Sequence, residues 1–307
     1  MKLHRAFMLN EFIKGIKYFK MTTADEKKIS SVIRNLKKRY EDNSDPWGLD
    51  LGFIEKFYHI MFPLYRKYFQ VKVHGKSNVG QKQYMVVSNH SGQIAVDGLL
   101  ISMAFALEMR NPRMLRAMVE RFVSAMPFIG DMMSRYGSVL GERKNCEWLL
   151  KRDESVLIFP EGIKGVAKDT KDFYKLKPFT KGFFRLALAH DVDILPVAVV
   201  GAEEFYPYVK HFRSLAKLMK LPIFPVTPLF PFLGPLGLLP MPSPVDIYIG
   251  KPYTIPKKLS HNAIDSLVDN HIKNIRTDIK SMLKEGLSKR RTSPLFDKLG
   301  IDVKRSL

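Results

Sequence analysis

Three short apolar runs constrain the fold of this 307-residue chain more than any other feature: Met85-Val86-Val87, Val156-Leu157-Ile158-Phe159 and Ile194-Leu195-Pro196-Val197-Ala198-Val199-Val200. Each is uncharged, rich in β-branched residues and too short for a buried helix, the pattern of a strand covered on both faces. Helix-like stretches lie between them, from Leu99 to Glu108, from Asn145 to Asp153 and from Phe179 to His190. Buried strands alternating with helices predict an α/β fold: a single mixed, mostly parallel sheet flanked by helices. Val71-Lys72-Val73-His74 and Val245-Asp246-Ile247-Tyr248-Ile249 alternate and predict further strands.

Amphipathic helices frame this sheet. Residues 1–20 interleave Phe7, Met8, Phe12, Ile13, Ile16 and Phe19 with Lys2, Arg5, Lys14, Lys17 and Lys20, which suits either a membrane interface or a surface helix. A second helix opens with a capping box at Thr23-Ala24-Asp25-Glu26. Residues 51–69 read as an aromatic helix kinked or split at Pro63, able to roof an acyl chain or to pack in the core. A last helix runs from Asn262 to Glu285, with Gly286 as its C-cap and a basic tail beyond. The expected division is 1–69, N-terminal amphipathic helices; 70–255, the α/β domain; and 256–307, C-terminal helix and tail. The charge-free run from Leu221 to Val245 is long enough to span a bilayer but is broken by prolines throughout. Each costs a helix about 3 kcal/mol, so no transmembrane helix is expected.

Chemistry-bearing residues follow the strands, where open α/β sheets hold ligands. His90 follows the first, and Asp97 lies on the next helix; an imidazole held by a carboxylate is a general base. On a continuous helix the two would stand about 10 Å apart along the axis, so contact requires Ser91-Gly92-Gln93 to turn first, which Gly92 permits. His74 alternates with valines, has no carboxylate near it in sequence and reads as structural. Gly137 opens a short strand that delivers Arg143, a guanidinium suited to phosphate. After the second strand comes Pro160-Glu161-Gly162-Ile163-Lys164-Gly165, whose glycines let the backbone approach a ligand and whose Lys164 offers a point charge. Glu161 reads equally as a ligand contact or as a hydrogen bond to its own loop. Lys168, Lys171, Lys175, Lys177 and Lys181 extend the basic region.

The net charge of +20 points to a polyanionic partner. A serine hydrolase is excluded because no Gly-x-Ser-x-Gly exists, and Gly75-Lys76-Ser77 lacks the upstream glycine of a P-loop. No His/Cys spacing suggests a metal, and the lone Cys146 excludes an internal disulfide. A non-catalytic protein binding membranes or nucleic acid through charge alone remains the alternative of another class. Nucleic acid would favour a basic stripe without the apolar proline segment, so an anionic membrane surface is the expected partner. The sequence sets no oligomeric state.

Asn89-His90…Asp97, Gly137…Arg143, Phe159-Pro160-Glu161-Gly162, Lys181-Gly182-Phe183-Phe184 and Leu195-Pro196-Val197 resemble, in order and rough separation, the motifs of the glycerolipid acyltransferases of the lysophosphatidate acyltransferase type. The resemblance covers about residues 70–255. It departs from the family in two places. Six residues separate His90 from Asp97 where the family has four, and Ile163-Lys164-Gly165 replaces Thr-Arg-Ser. The resemblance implies O-acyl transfer from acyl-CoA or acyl carrier protein, as co-substrate rather than tightly bound cofactor, to a glycerolipid hydroxyl. His90 and Asp97 would be catalytic; Arg143, Glu161, Gly162 and Lys164 would bind substrate or phosphate, with Asn89, Gly92, Gly137 and Pro196 supporting. The charge and the aromatic helices lead to the further expectation of a peripheral or monotopic place on the cytoplasmic face of a membrane. The segment Pro231 to Pro240 resembles a branch acting on neutral acceptors, diacylglycerol or long-chain alcohols.

Overall fold

The computed structural model describes residues 19–40, 45–91, 94–206, 209–218, 225–227, 230–256, 259 and 264–291. The helix expected within residues 1–20 therefore lies almost wholly outside the described residues, as do Gly92, the start of the proline-rich segment and the basic tail.

The strands are β1 (Lys72–His74), β2 (Met85–Ser88), β3 (Leu115–Val119), β4 (Val139–Leu140), β5 (Ser155–Ile158), β6 (Ile194–Val200), β7 (Lys210–His211), β8 (Pro225–Val226) and β9 (Asp246–Ile249). Seven form one mixed sheet in the order β1-β9-β6-β2-β5-β3-β4, while β7 and β8 make a separate pair. From β6 to β4 the strands are parallel; β9 runs antiparallel to β6, and β1 parallel to β9. Val86 stands level with Leu157 and Leu195, so the three apolar runs form the centre of the sheet. All four residues of β2 are buried, as a strand covered on both faces requires. Ten α-helices flank the sheet among the described residues. One hydrophobic cluster runs from Ile29 to Leu287 and joins all three segments of the expected division.

Several local expectations change in the structure. The capping pair lies one residue earlier than the box read from the sequence: the Asp25 N–H donates to Thr22 Oγ1 at 3.2 Å, and the Thr22 N–H to Asp25 Oδ2 at 3.0 Å. Pro63 is the last residue of the α-helix, and the coil changes its hydrogen-bonding pattern there without a break. Leu51–Pro63 passes directly into a π-helical turn, Leu64–Tyr68, closed by Phe69 N–H on the Leu64 carbonyl. The aromatic face of this stretch (Tyr58, Phe62, Tyr65 and Phe69) belongs to the core. Gly286 is not a cap, because the helix continues as Asp265–Ser288. Its hydrogen is needed for packing: a Cβ there would stand 2.6 Å from Val200 Cγ2 and 2.8 Å from the Tyr248 ring. His74 does meet a carboxylate, from the neighbouring strand, with Nε2 2.9 Å from Asp246 Oδ1 and its ring stacked on Tyr248.

Strand β3 was not legible because Arg116 stands in its middle. That side chain is 1% exposed; it donates from Nε to the Gly137 carbonyl at 2.7 Å and pairs with Glu154 at 3.3 Å. Beyond β3, the helices Arg121–Ser124 and Ile129–Arg135 leave apolar side chains in solvent: Phe122, Met126, Ile129, Met132 and above all Phe128, 91% exposed. The described part of the proline-rich segment does the same with Phe232, Leu233, Leu236 and Leu239. Among the described residues no helix is long and apolar enough to cross a membrane.

Candidate active site

The carboxyl ends of β2, β5 and β6 lie side by side in the sheet, and the loops leaving them build one buried polar cluster. It begins at Asn89, whose amide donates to the Val199 carbonyl at 3.1 Å and accepts the Val199 N–H at 2.8 Å. The side chain thus completes a rung that β2 no longer supplies. His90 follows, its side chain 10% exposed.

The carboxylate of Asp97 reaches the ring: His90 Nδ1 stands 2.8 Å from Asp97 Oδ2. The contact is possible because the helix begins only at Val96, which places Asp97 in its first turn. Oδ2 also accepts the Ser91 N–H at 2.7 Å, and Oδ1 accepts the Gly98 N–H at 2.8 Å. A carboxylate with no exposed surface is tolerable there because backbone N–H groups and the helix N-terminus stabilise its charge. Since an ionised carboxylate only accepts, Nδ1 carries the ring proton and Nε2 keeps its lone pair. Among the described residues Nε2 has no hydrogen-bond partner.

Three further contacts fix the residue. Its ring lies flat on Phe159, centroids 4.0 Å apart and planes 15° from parallel. Its N–H donates to Glu161 Oε1 at 2.9 Å. Its carbonyl accepts from Lys168 Nζ at 3.0 Å. Gly165 makes room for this packing, since a Cβ there would stand 2.7 Å from His90 Cβ. The glycine expected to admit a ligand instead admits the histidine itself.

Glu161 is 3% exposed, and both its oxygens face inward, Oε2 accepting the Lys177 N–H at 2.6 Å. It organises the loop, one of the two readings its sequence context allowed. Gly162, at φ +55°, reverses the chain directly after it, and a Cβ at that position would lie 3.9 Å from Glu120 Oε1, on the loop after β3. Lys164 is exposed on the short Ile163–Val166 helix beside this loop. Pro196 sits inside β6 opposite Val87; its carbonyl accepts from Gly250, just past the end of β9, so its missing N–H falls where that ladder has stopped.

Two expected members stand apart. Arg143 begins the helix after β4, three strand positions from β2, or about 14 Å at ordinary strand spacing. Its guanidinium is 75% exposed and pairs with Glu147 at 2.7 Å. Gly137 precedes β4 and so belongs to the opposite edge, where its φ of +96° turns its carbonyl to Arg116. The lysine run is only partly an open surface, with Lys171 and Lys175 exposed and the others paired or buried. Lys177 pairs with Asp172 and Lys181 with Asp265 and Asp269, and Lys168 is buried. A concave site of about 390 Å³ also lies at the opposite edge, between Arg39, Lys82, Asp153 and Asp193, away from His90.

Sequence reasoning placed Lys168 only in a basic region and missed both its burial and its partner Glu203, 2.9 Å away. The one available signal was Glu203-Glu204 directly after a buried strand, two carboxylates that would need cations if they folded inward.

The family model described as Acyltransferase matches residues 70–200. An uncharacterised protein of Mycobacterium leprae is 35% identical over 254 residues, covering 80% of this chain and 68% of its own length. The 1-acyl-sn-glycerol-3-phosphate acyltransferase of Saccharomyces cerevisiae is 27% identical over 154 residues, 47% of this chain and 46% of its own. Among solved structures, the 1-acyl-sn-glycerophosphate acyltransferase PlsC of Thermotoga maritima aligns over 93% of this chain and 91% of its own, at 15% identity and a TM-score of 0.49.

Proposed function

The chain belongs to the glycerolipid acyltransferase family, and we propose that it moves a fatty acyl group from an acyl thioester to a hydroxyl of a glycerolipid, with His90 as general base. One observation carries this reading: a buried imidazole whose Nδ1 is held by Asp97 at 2.8 Å while Nε2 is left without a partner among the described residues, at the carboxyl edge of a parallel sheet.

Nε2 takes the proton of the acceptor hydroxyl as its oxygen attacks the thioester carbonyl. Asp97 holds the tautomer and balances the imidazolium that forms. The tetrahedral intermediate collapses with loss of the thiolate, which takes the proton back from Nε2. A C–O bond replaces a C–S bond, and the thiol leaves neutral. No acyl-enzyme is required, since the thioester is already activated.

The donor is acyl-CoA or acyl carrier protein, and a lysophosphatidate-like lipid is the first acceptor to try. A neutral acceptor is favoured by one specific observation, the pairing of Arg143 with Glu147 three strands from the histidine. The exposed apolar side chains around Phe128 follow β3 on the same edge as His90 and suit a protein lying on an anionic bilayer without crossing it.

Labelled acyl-CoA presented with lysophospholipids, diacylglycerol and long-chain alcohols tests the reading. Transfer to at least one acceptor, abolished in a folded His90→Ala protein, is the expected result. Equal transfer by that variant would remove the role given to His90.

A further inference from the structure

Lys168 stands in a run of lysines that predicts a solvated side chain, yet only 2% of its surface is exposed. Its ammonium donates to the His90 carbonyl at 3.0 Å and to Glu203 Oε1 at 2.9 Å, and lies 3.4 Å from Glu161 Oε2. Two hydrogen bonds and one longer ion pair thus hold the ammonium among three oxygens. Those oxygens come from three loops, which follow β2, β5 and β6. Burial works against the charge, but the Glu203 and Glu161 carboxylates outweigh it and hold the lysine above its ordinary pKa.

The cluster continues past the site. Glu203 also accepts the Tyr174 N–H, and the Tyr174 hydroxyl donates to Glu204 at 2.7 Å. Glu204 is gripped by Arg290, just beyond the C-terminal helix, at 2.7 and 2.6 Å. Lys168 is therefore anchored from behind and presses forward on one backbone carbonyl, that of the histidine.

We propose that Lys168 is a positioning residue: it locks the main chain of His90 and supplies the positive charge against which the imidazole titrates. The kinetic half of this proposal rests on the acyltransferase reading above; the titration half does not. Four charged groups face His90 through direct contacts or through the ammonium. Asp97 comes from the following helix, Glu161 from the loop after β5, Lys168 from the loop beyond it, and Glu203 from the turn after β6. Removing the ammonium leaves Glu161 and Glu203 without their cation and favours imidazolium. Removing the Glu203 charge does the opposite, while Gln keeps an oxygen for the ammonium.

The test follows the imidazole protons by NMR across pH in the full chain, with the His90 signal identified by its loss in His90→Ala. Lys168→Met is expected to raise the midpoint of that titration by about half a unit or more, and Glu203→Gln to lower it. In the acyl-transfer assay Lys168→Met should reduce kcat about 10-fold, with KM within about twofold. The acid limb of its pH–rate profile should move in the same direction as the NMR midpoint. The double variant Lys168→Met/Glu203→Gln should bring the midpoint back toward that of the parent while kcat stays low. Midpoints that do not move, or that move the same way in both single variants, overturn the proposal. Should Lys168→Met fail to fold, the Glu203→Gln titration decides alone: a downward shift supports the idea, and none overturns it. A parent that transfers no acyl group would defeat the acyltransferase reading, with the NMR midpoints still deciding the role of Lys168.

Discussion

The two edges of the central sheet bury charge in different ways. At the amino edge, arginines cross-link the chain. Arg113 donates to the carbonyls of Gly80, Gln81 and Lys82, and Arg116 joins Gly137 to Glu154, which also accepts from Tyr40. At the carboxyl edge the cation that faces the histidine is Lys168, with Arg290 holding Glu204 behind it; the anions around the ring are Asp97, Glu161 and Glu203, and in their midst a ring nitrogen is left unclaimed among the described residues. Guanidinium forks with fixed donors suit permanent stitching. An imidazole held on one side and open on the other suits a proton that must move. Stability and activity should therefore separate along the strands.

The largest effect expected is on activity. His90→Ala should reduce acyl transfer by about 10³-fold or more per folded molecule, against a loss of about 1–3 kcal/mol in stability from the hydrogen bond lost to Asp97 and the space left beside Phe159. A rate per folded molecule that stayed near the parent's would erase the contrast between the edges. Asp97→Asn comes next, with a loss of about 10²–10⁴-fold, because the amide can hold the wrong tautomer. Rates and circular dichroism on the same preparation check both. At the other edge, Arg116→Met should cost about 3–5 kcal/mol in denaturant unfolding, since it leaves Glu154 buried without its cation. Its kcat per folded molecule should equal that of the parent; a specific loss would mean that the amino edge reaches the chemistry. The smallest effect is set by packing alone. Gly286→Ala should destabilise by about 1–3 kcal/mol through overpacking against Val200 and Tyr248, with no change in KM.

The centre of the sheet was legible because apolar strands of this kind have one good way to be buried. His90 and Asp97 were legible as a pair because one ends a strand and the other opens a helix. What closed the interval was the late start of that helix, at Val96, and spacing alone could only state the condition for it. Arg116 and Lys168 were opaque for a common reason. A charged residue in sequence reads as solvated, and burial becomes affordable only through partners brought by other strands, Glu154 for one and Glu203 for the other. Gly286 misled because a glycine near a helix end has two uses, and only the neighbour across the sheet tells which applies. Arg143 and Gly137 were read as site residues because motif order does not reveal lateral distance. Three strand widths separate Arg143 from the histidine, and a reversal of edge separates Gly137.

Asn89 carries a consequence of its own. Its amide stands in for a peptide unit, offering Val199 both a donor and an acceptor after the main chain of β2 has turned away. The seam with β6 stays zipped for one extra rung while the backbone is free to veer off, and the histidine emerges where that detour begins. The mouth of the site is thus hinged on an impersonated strand residue. An aspartate there would be nearly the same size, yet it would set an oxygen against the Val199 carbonyl and let the seam gape where the imidazole needs a firm wall.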